Sequence, residues 1–260
     1  MTAMLTLHAV ARAFGPERAL DGVDLEVRAG EVHALVGLNG AGKTTLMRVA
    51  LGMLRADRGE VRLDVGAGAV DPRRAPAATW RHVGHLIETP YGYPELTVRQ
   101  SVRCAARLRG LARRTAAAET ERVLAELALD HWADRPTRAL SLGNKQRVGL
   151  ACAAVHGPRL MVLDEPSNAL DPAGVVRVRR WIDAAARGGA GVLVSSHHLD
   201  EMARVADRIT VLHRGRVVGA LEPGGTDLER QFFAMVYRAE ESLDGEDGAA
   251  LVKDMRAGAA

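Results

Sequence analysis

Gly37-Leu38-Asn39-Gly40-Ala41-Gly42-Lys43-Thr44-Thr45 decides the fold. It fits the P-loop pattern, Gly, four residues, then Gly-Lys-Ser/Thr. Glycines let successive backbone N–H groups turn toward one anion, and a helix starting there adds the positive end of its dipole. Lys43 is placed to reach the β- and γ-phosphates of a nucleotide, and the Thr44 hydroxyl to hold Mg²⁺. The flanks agree. Val32-His33-Ala34-Leu35-Val36 is a short apolar run suited to a buried strand, and Leu46, Val49 and Met53 recur at helical spacing. The chain has only three lysines, at 43, 145 and 253, and otherwise uses arginine. A phosphate loop wants a compact point charge rather than a planar fork, and Lys43 supplies it.

Working outward, the 260 residues are enough for a full α/β core, with 47% hydrophobic and 26% charged content. The formal charge of +3 is small and spread along the chain, so nucleic acid is not an expected partner. No apolar run reaches about 18 residues, and Met1 to Val10 alternate like a strand rather than a signal peptide. The reading is a cytosolic chain. Cys104 and Cys152 are the only cysteines, too few for a metal site, and both read as small core residues on helices.

Met4 to Val10 and Val23 to Val27 read as strands joined by a turn at Gly15-Pro16, with Phe14 at that turn. Phe14 is either an exposed ring that stacks on a base or a packing residue under the turn. Glu60 to Asp64 and Arg81 to Ile87 read as further strands, the second ending at Glu88-Thr89-Pro90. Tyr91-Gly92-Tyr93-Pro94 forms a turn, and Thr97-Val98-Arg99-Gln100 is a capping box opening a helix with Val98, Val102 and Ala105 on one face. Two more helices follow, marked by Val123, Leu124 and Leu127 and by Val148, Ala151, Cys152 and Val155. Residues of about 90 to 157 are therefore a helical insertion in an α/β core. Arg159 to Glu165 is an apolar strand ending in the two carboxylates Asp164-Glu165; a helix from about Ala173 to Arg187 follows. Gly191 to Ser196 is a strand ending at His197. Ile209 to Leu212 and Val217 to Leu221 close the pattern around Arg214-Gly215. Alternating strands and helices predict a mostly parallel sheet that binds ligands at its strands' carboxyl ends, where Gly37, Asp164 and His197 fall. Beyond residue 222, Leu228, Phe232 and Val236 predict one more helix, and the acidic, Gly- and Ala-rich stretch from Glu240 a flexible tail.

A carboxylate after a buried strand, as at Asp164, holds Mg²⁺ in P-loop enzymes, and the next, Glu165, can deprotonate the attacking water. His197 is a candidate for the γ-phosphate, with His198 pointing elsewhere. Ser141 caps a helix that begins Leu142-Gly143-Asn144-Lys145-Gln146-Arg147. It is either a plain N-cap or a second phosphate site, one that serves a partner's nucleotide.

With these motifs in order, the chain resembles the nucleotide-binding subunits of ABC transporters over residues 4 to about 221. Leu140 to Arg147 looks like the signature, Leu163-Asp164-Glu165-Pro166 like the second phosphate motif, Ala169-Leu170-Asp171-Pro172 like the D-loop, and Ser195-Ser196-His197 like the switch histidine. The resemblance implies a P-loop NTPase core with a mostly parallel sheet, an N-terminal antiparallel β subdomain and an inserted helical subdomain. Residues 1–222 would form the nucleotide-binding domain and 223–260 a C-terminal helix and tail. It also implies ATP and Mg²⁺ as cofactors and a head-to-tail homodimer. The P-loop of one copy, Gly37 to Thr45, would then face Ser141, Gly143 and Asp171 of the other. Phe14 falls where the family stacks an aromatic on adenine. Glu165 is the implied base, with His197 and Lys43 on the γ-phosphate and Thr44, Asp164 and Glu88 as metal ligands. The implied partner is a separate transmembrane permease, with the chain peripheral on the inner face of the membrane. Glu88 stands where Gln is common, and Leu142 and Asn144 where Gly and Gln are usual. That combination resembles exporters of peptide antibiotics, of the bacitracin and lantibiotic type, and of other drugs. A soluble ATPase acting on ribosomes or DNA fits less well, with one P-loop and no heptad run; the short tail and Glu88 count against an importer.

Overall fold

The computed structural model describes residues 2–88 and 93–241. Strands β1 (Ala3–Phe14) and β2 (Glu17–Arg28) form a hairpin across Gly15-Pro16. After β3 (Val32–Val36) and helix α1 (Lys43–Ala50), strand β4 (Arg58–Leu63) pairs with the other edge of β1, giving an antiparallel sheet in the order β2-β1-β4. β1 runs four residues past the predicted end at Val10. The pairing shifts register between Leu7 and Val10, where Ala9 takes φ 47°, so both Val10 and Ala11 are buried. A bulge of this kind breaks the period-two pattern on which a sequence reading relies.

The second sheet contains β3, β5 (Val83–Leu86), β6 (Leu160–Leu163), β7 (Gly191–Ser196), β8 (Arg208–His213) and β9 (Arg216–Leu221). Its order is β5-β6-β7-β3-β8-β9, parallel throughout except for β9, which pairs antiparallel with β8. All five residues of β3 are buried, as expected of a strand covered on both faces. Val32, Ala34 and Val36 face one core with Val178 and Ile182, while Leu35 faces the other with Leu46 and Met47. Helices α2 (Val98–Leu108), α3 (Arg113–Glu126) and α4 (Leu142–Ala154) lie between β5 and β6 in the chain, α5 (Pro172–Arg187) follows β6, and the one-turn α6 (Leu199–Met202) follows β7.

The capping box opens α2: Gln100 N–H donates to the Thr97 hydroxyl at 3.2 Å, and Thr97 N–H to the Gln100 side chain at 2.9 Å. Its fully buried positions are Val98, Val102 and Ala106, a strict i, i+4, i+8 row, so Ala105 lies at the margin. Cys104 is exposed on the opposite side of α2, contrary to its reading as a core residue. Cys152 does pack against the core, and burial pushes its thiol up to about 12. Residues 228–241 are helical, with Leu228, Phe232 and Val236 buried in the larger core. The expectations for Tyr91, Gly92 and the tail beyond 241 fall outside the described residues; Tyr93 is exposed.

Three histidines are held uncharged by burial. His33 bonds through Nδ1 with the Glu26 carbonyl and through Nε2 with the Thr210 hydroxyl, both at 2.8 Å. Burial lowers His33, His85 and His156 to about 4, with Arg109 adding to the shift at the latter two. The unfolded chain therefore binds more protons between pH 6.5 and 4, so stability is present above that window and is lost as pH falls through it. Each proton taken up adds a slope of about 1.4 kcal/mol per pH unit. Buried Glu31, whose carboxyl is raised by desolvation, opposes part of this. Urea denaturation from pH 7.5 to 4.5 is expected to show a falling midpoint; a flat profile would contradict neutral burial of these rings.

Candidate functional site

Strands β6, β7 and β3 are consecutive in the sheet and parallel, so their carboxyl ends at Leu163, Ser196 and Val36 lie side by side. The residues after those ends are Asp164-Glu165, His197 and Gly37. The loop from Gly37 turns tightly, with Ala41 N–H donating to the Leu38 carbonyl at 3.1 Å, and ends at Gly42, the residue before α1, with φ 104°. Two of its glycines are required. A Cβ at Gly37 would lie 2.3 Å from the Leu212 carbonyl oxygen, and one at Gly42 2.5 Å from that of Ala19, in a left-handed conformation that side chains avoid. Leu38, Asn39 and Gly40 are exposed at the tip, Ala41 is buried beneath them, and Thr45 is half-buried on the first turn of α1. Lys43 is buried along its length; its Nζ donates to the Gly37 carbonyl at 2.7 Å and the Leu38 carbonyl at 3.3 Å, and lies 3.7 Å from Glu165 Oε1.

The Thr44 hydroxyl donates to Asp164 Oδ2 at 2.6 Å. Two hard oxygen donors at the base of a phosphate loop suit Mg²⁺, which keeps several of its waters and takes few protein ligands. Ser195, fully buried on β7, donates to Asp164 Oδ1 at 2.5 Å and accepts from Glu165 N–H at 2.9 Å. One hydroxyl thus orients both carboxylate residues, and it is the residue that sequence reasoning did not single out. Its signal was only the pair of serines ahead of His197. Glu165 adopts φ 47°, and its Oε2 accepts from His197 Nδ1–H at 2.9 Å. Replacing Ser195 by Ala leaves a buried carboxylate oxygen and an N–H without their partner, an expected cost of about 1–3 kcal/mol. Thermal unfolding checks this; an unchanged midpoint would mean water replaces the hydroxyl.

The structure thus brings Lys43, Thr44, Asp164, Glu165 and His197 together. Glu88 is not joined to them: its carboxylate pairs with Arg48, one turn beyond Thr44 on α1, and no hydrogen bond links it to Thr44 or Asp164 among the described residues. His198 does not point away from His197; their ring centroids are 3.9 Å apart, because the chain bends after β7 and strand alternation ends. Phe14 is 47% exposed at the hairpin end, with the Arg12 guanidinium 4.9 Å from its ring centre, so it does not pack under the turn.

Ser141 caps α4, accepting from Asn144 N–H at 3.3 Å. Gly143 lies against the segment after β6: a Cβ there would meet the Ala169 carbonyl oxygen at 2.5 Å. Gln146 donates to the Glu165 carbonyl at 3.1 Å, and Asp171 caps α5 by accepting from Gly174 N–H at 2.7 Å. The start of α4 is therefore built onto the flank of Glu165. Among the described residues no hydrogen bond joins 141–147 to 37–45.

These features, a P-loop closed by two strand-end carboxylates with a capped helix beside them, define a P-loop ATPase. The sequence profile described as ABC transporter matches residues 20–168, and the chain belongs to that family as an ATP-binding subunit with ATPase chemistry. It is 31% identical over 84% of its length to the bacitracin transport ATP-binding protein BcrA of Bacillus licheniformis, covering 69% of that protein. To the lantibiotic transport ATP-binding protein SrtF of Streptococcus pyogenes it is 29% identical over 88% of its length and 96% of the relative's. A solved structure of an ATP-binding subunit of an ABC transporter superposes with a TM-score of 0.77 at 30% identity, covering 90% of this chain and 94% of that one. No helix among the described residues is long and apolar enough to cross a membrane.

Proposed function

We propose that this chain powers a separate transmembrane permease that exports an antibiotic, peptide or drug, working as a head-to-tail homodimer on the inner face of the membrane. The observation that carries the dimer is the division of the site. Lys43, Thr44, Asp164, Glu165 and His197 form one connected network through Ser195, while among the described residues Ser141 and Gly143 make no hydrogen bond to the chain's own phosphate loop. A second copy supplies the missing half, with its Ser141, Gly143 and Asp171 facing Gly37 to Thr45.

Within each half, Lys43 and the loop N–H groups hold the β- and γ-phosphates, and Phe14 stacks on adenine. Thr44 and Asp164 would hold Mg²⁺, which neutralises charge on the phosphates when bound. Glu165 takes the proton of the attacking water as its oxygen bonds to the γ-phosphorus and the bond to ADP breaks. His197 donates from Nδ1 to Glu165 and fixes its carboxylate. Residues 1–222 make up this unit, with about 90–157 inserted into it. Glu88, paired with Arg48, is a weaker candidate for the metal than Thr44 and Asp164. Export is favoured by the Glu88 and Leu142 positions and by the bacitracin and lantibiotic transport relatives.

Gentle detergent extraction with affinity-tagged chain tests the reading. A multi-spanning protein is expected to co-purify in stoichiometric amount; recovery with ribosomes or DNA in its place would overturn the transport role.

A further inference from the structure

The phosphate loop is held from behind by the tip of the β8–β9 hairpin. Gly215 N–H donates to the Ala41 carbonyl at 2.9 Å, and the Gly215 carbonyl accepts from Asp21 N–H at 2.8 Å. Arg214 and Gly215 both take left-handed conformations, φ 44° and 76°, which the hairpin tip needs to make this turn. Asp21 also accepts from Arg216 at 2.8 Å and 3.0 Å, which holds its carboxyl below the usual range. Leu212 closes on the loop's first residue, its carbonyl oxygen being what a Cβ at Gly37 would strike. Leu212 to Arg216 thus form a cradle for Gly37 to Gly42.

His213, the last residue of β8 and next in the chain after Leu212, is 5% exposed. Among the described residues its Nε2 is buried without a hydrogen-bond partner and lies 3.6 Å from Glu240 Oε1, on the helix of residues 228–241. The 3.6 Å separation lies just outside hydrogen-bond range, and a slight approach of the helix to the hairpin would pair this buried atom, which left unpaired costs about 1–3 kcal/mol. The same helix is fixed to the hairpin further along: Met235 covers Gly219 of β9 closely enough that a Cβ there would lie 2.6 Å from its sulfur. Phe232 and Val236 are buried beneath it.

We propose that His213 and Glu240 are positioning residues, through which helix 228–241 sets the geometry of the phosphate loop and with it the affinity for a nucleoside triphosphate. This rests on ATP binding at Gly37 to Thr45. The helix lies beyond the residues that carry the phosphate chemistry, and Glu240, with a side chain 44% exposed, can be changed without opening a core cavity. By linkage, a ligand that orders the loop must also tighten the helix against the hairpin.

The test uses the full chain with magnesium AMP-PNP, a triphosphate that is not hydrolysed. Calorimetric titration of Glu240→Ala is expected to give binding weaker by about two- to thirtyfold, the range by which mutations along such networks change coupling. Glu240→Gln keeps an oxygen acceptor and is expected to bind as the unmodified chain does. Hydrogen exchange over 228–241 is expected to slow when AMP-PNP binds the unmodified chain and not when it binds Glu240→Ala. Unchanged affinity in Glu240→Ala, a Gln variant as weak as the Ala variant, or exchange indifferent to nucleotide overturns the link. Failure of the unmodified chain to bind AMP-PNP at all would instead overturn the nucleotide site on which the link depends.

Discussion

Replacing Glu165 by Gln is expected to lower ATP turnover by about two to three orders of magnitude while leaving ATP binding intact. The reason lies in what the side chain does and does not touch. Its carboxylate accepts from His197 Nδ1–H at 2.9 Å and lies 3.7 Å from Lys43 Nζ, but it takes no part in the phosphate loop's own turn. Gln has the same shape and keeps an acceptor oxygen for His197, yet it cannot accept the proton of an attacking water. Chemistry should stop with ATP in place, so the variant should accumulate as an ATP-bound dimer. Light scattering with and without ATP, beside a phosphate-release assay, measures both effects. Turnover at the unmodified rate would remove Glu165 as the base. Weak ATP binding would show instead that its main work is to hold Lys43.

Replacing Ser141 by Arg is expected to abolish hydrolysis altogether, without changing nucleotide binding by the isolated chain. Ser141 is exposed at the start of α4, where it accepts a single hydrogen bond from Asn144. The loss of that cap costs about 1 kcal/mol. In the proposed head-to-tail pair, the larger effect comes from placing a long cation where a second copy's nucleotide would seat. Equilibrium binding of a fluorescent ATP analogue at low protein concentration, where monomers prevail, separates the two. If the substitution abolished binding in the monomer, Ser141 would belong to the chain's own pocket and the division of the site would be wrong.

Much of this arrangement was legible in the sequence, for identifiable reasons. The P-loop could be read because its glycines are forced: Gly37 and Gly42 each face a carbonyl oxygen that no side chain could clear. Asp164-Glu165 and His197 were legible because they follow the ends of two buried strands, and parallel strands place such residues at one edge. What the sequence concealed depends on contacts between distant segments. Ser195 looks like any strand serine until its hydroxyl is seen between Asp164 and Glu165. Glu88 reads as a metal ligand by position, but Arg48, forty residues earlier on α1, takes its carboxylate. The cradle of Leu212 to Arg216 behind the loop has no local signature beyond a hairpin turn, since backbone groups make most of its contacts. His198 and the far end of β1 were misread where a bend and a bulge interrupt the period on which strand reading rests.

In the proposed dimer each ATP would be held between the phosphate loop of one copy and the Ser141 helix of another. Complementation tests it most directly. A chain carrying Lys43→Ala cannot hold the phosphates, and a chain carrying Ser141→Arg cannot complete its partner's site, so each alone should be inactive. In a mixture, the Ser141→Arg chain still offers an intact phosphate loop and the Lys43→Ala chain an intact Ser141. A head-to-tail pair of the two therefore contains one complete site, and mixing should restore ATP hydrolysis. A mixture as inactive as its components, under conditions where the two chains are shown to pair, would contradict the shared site.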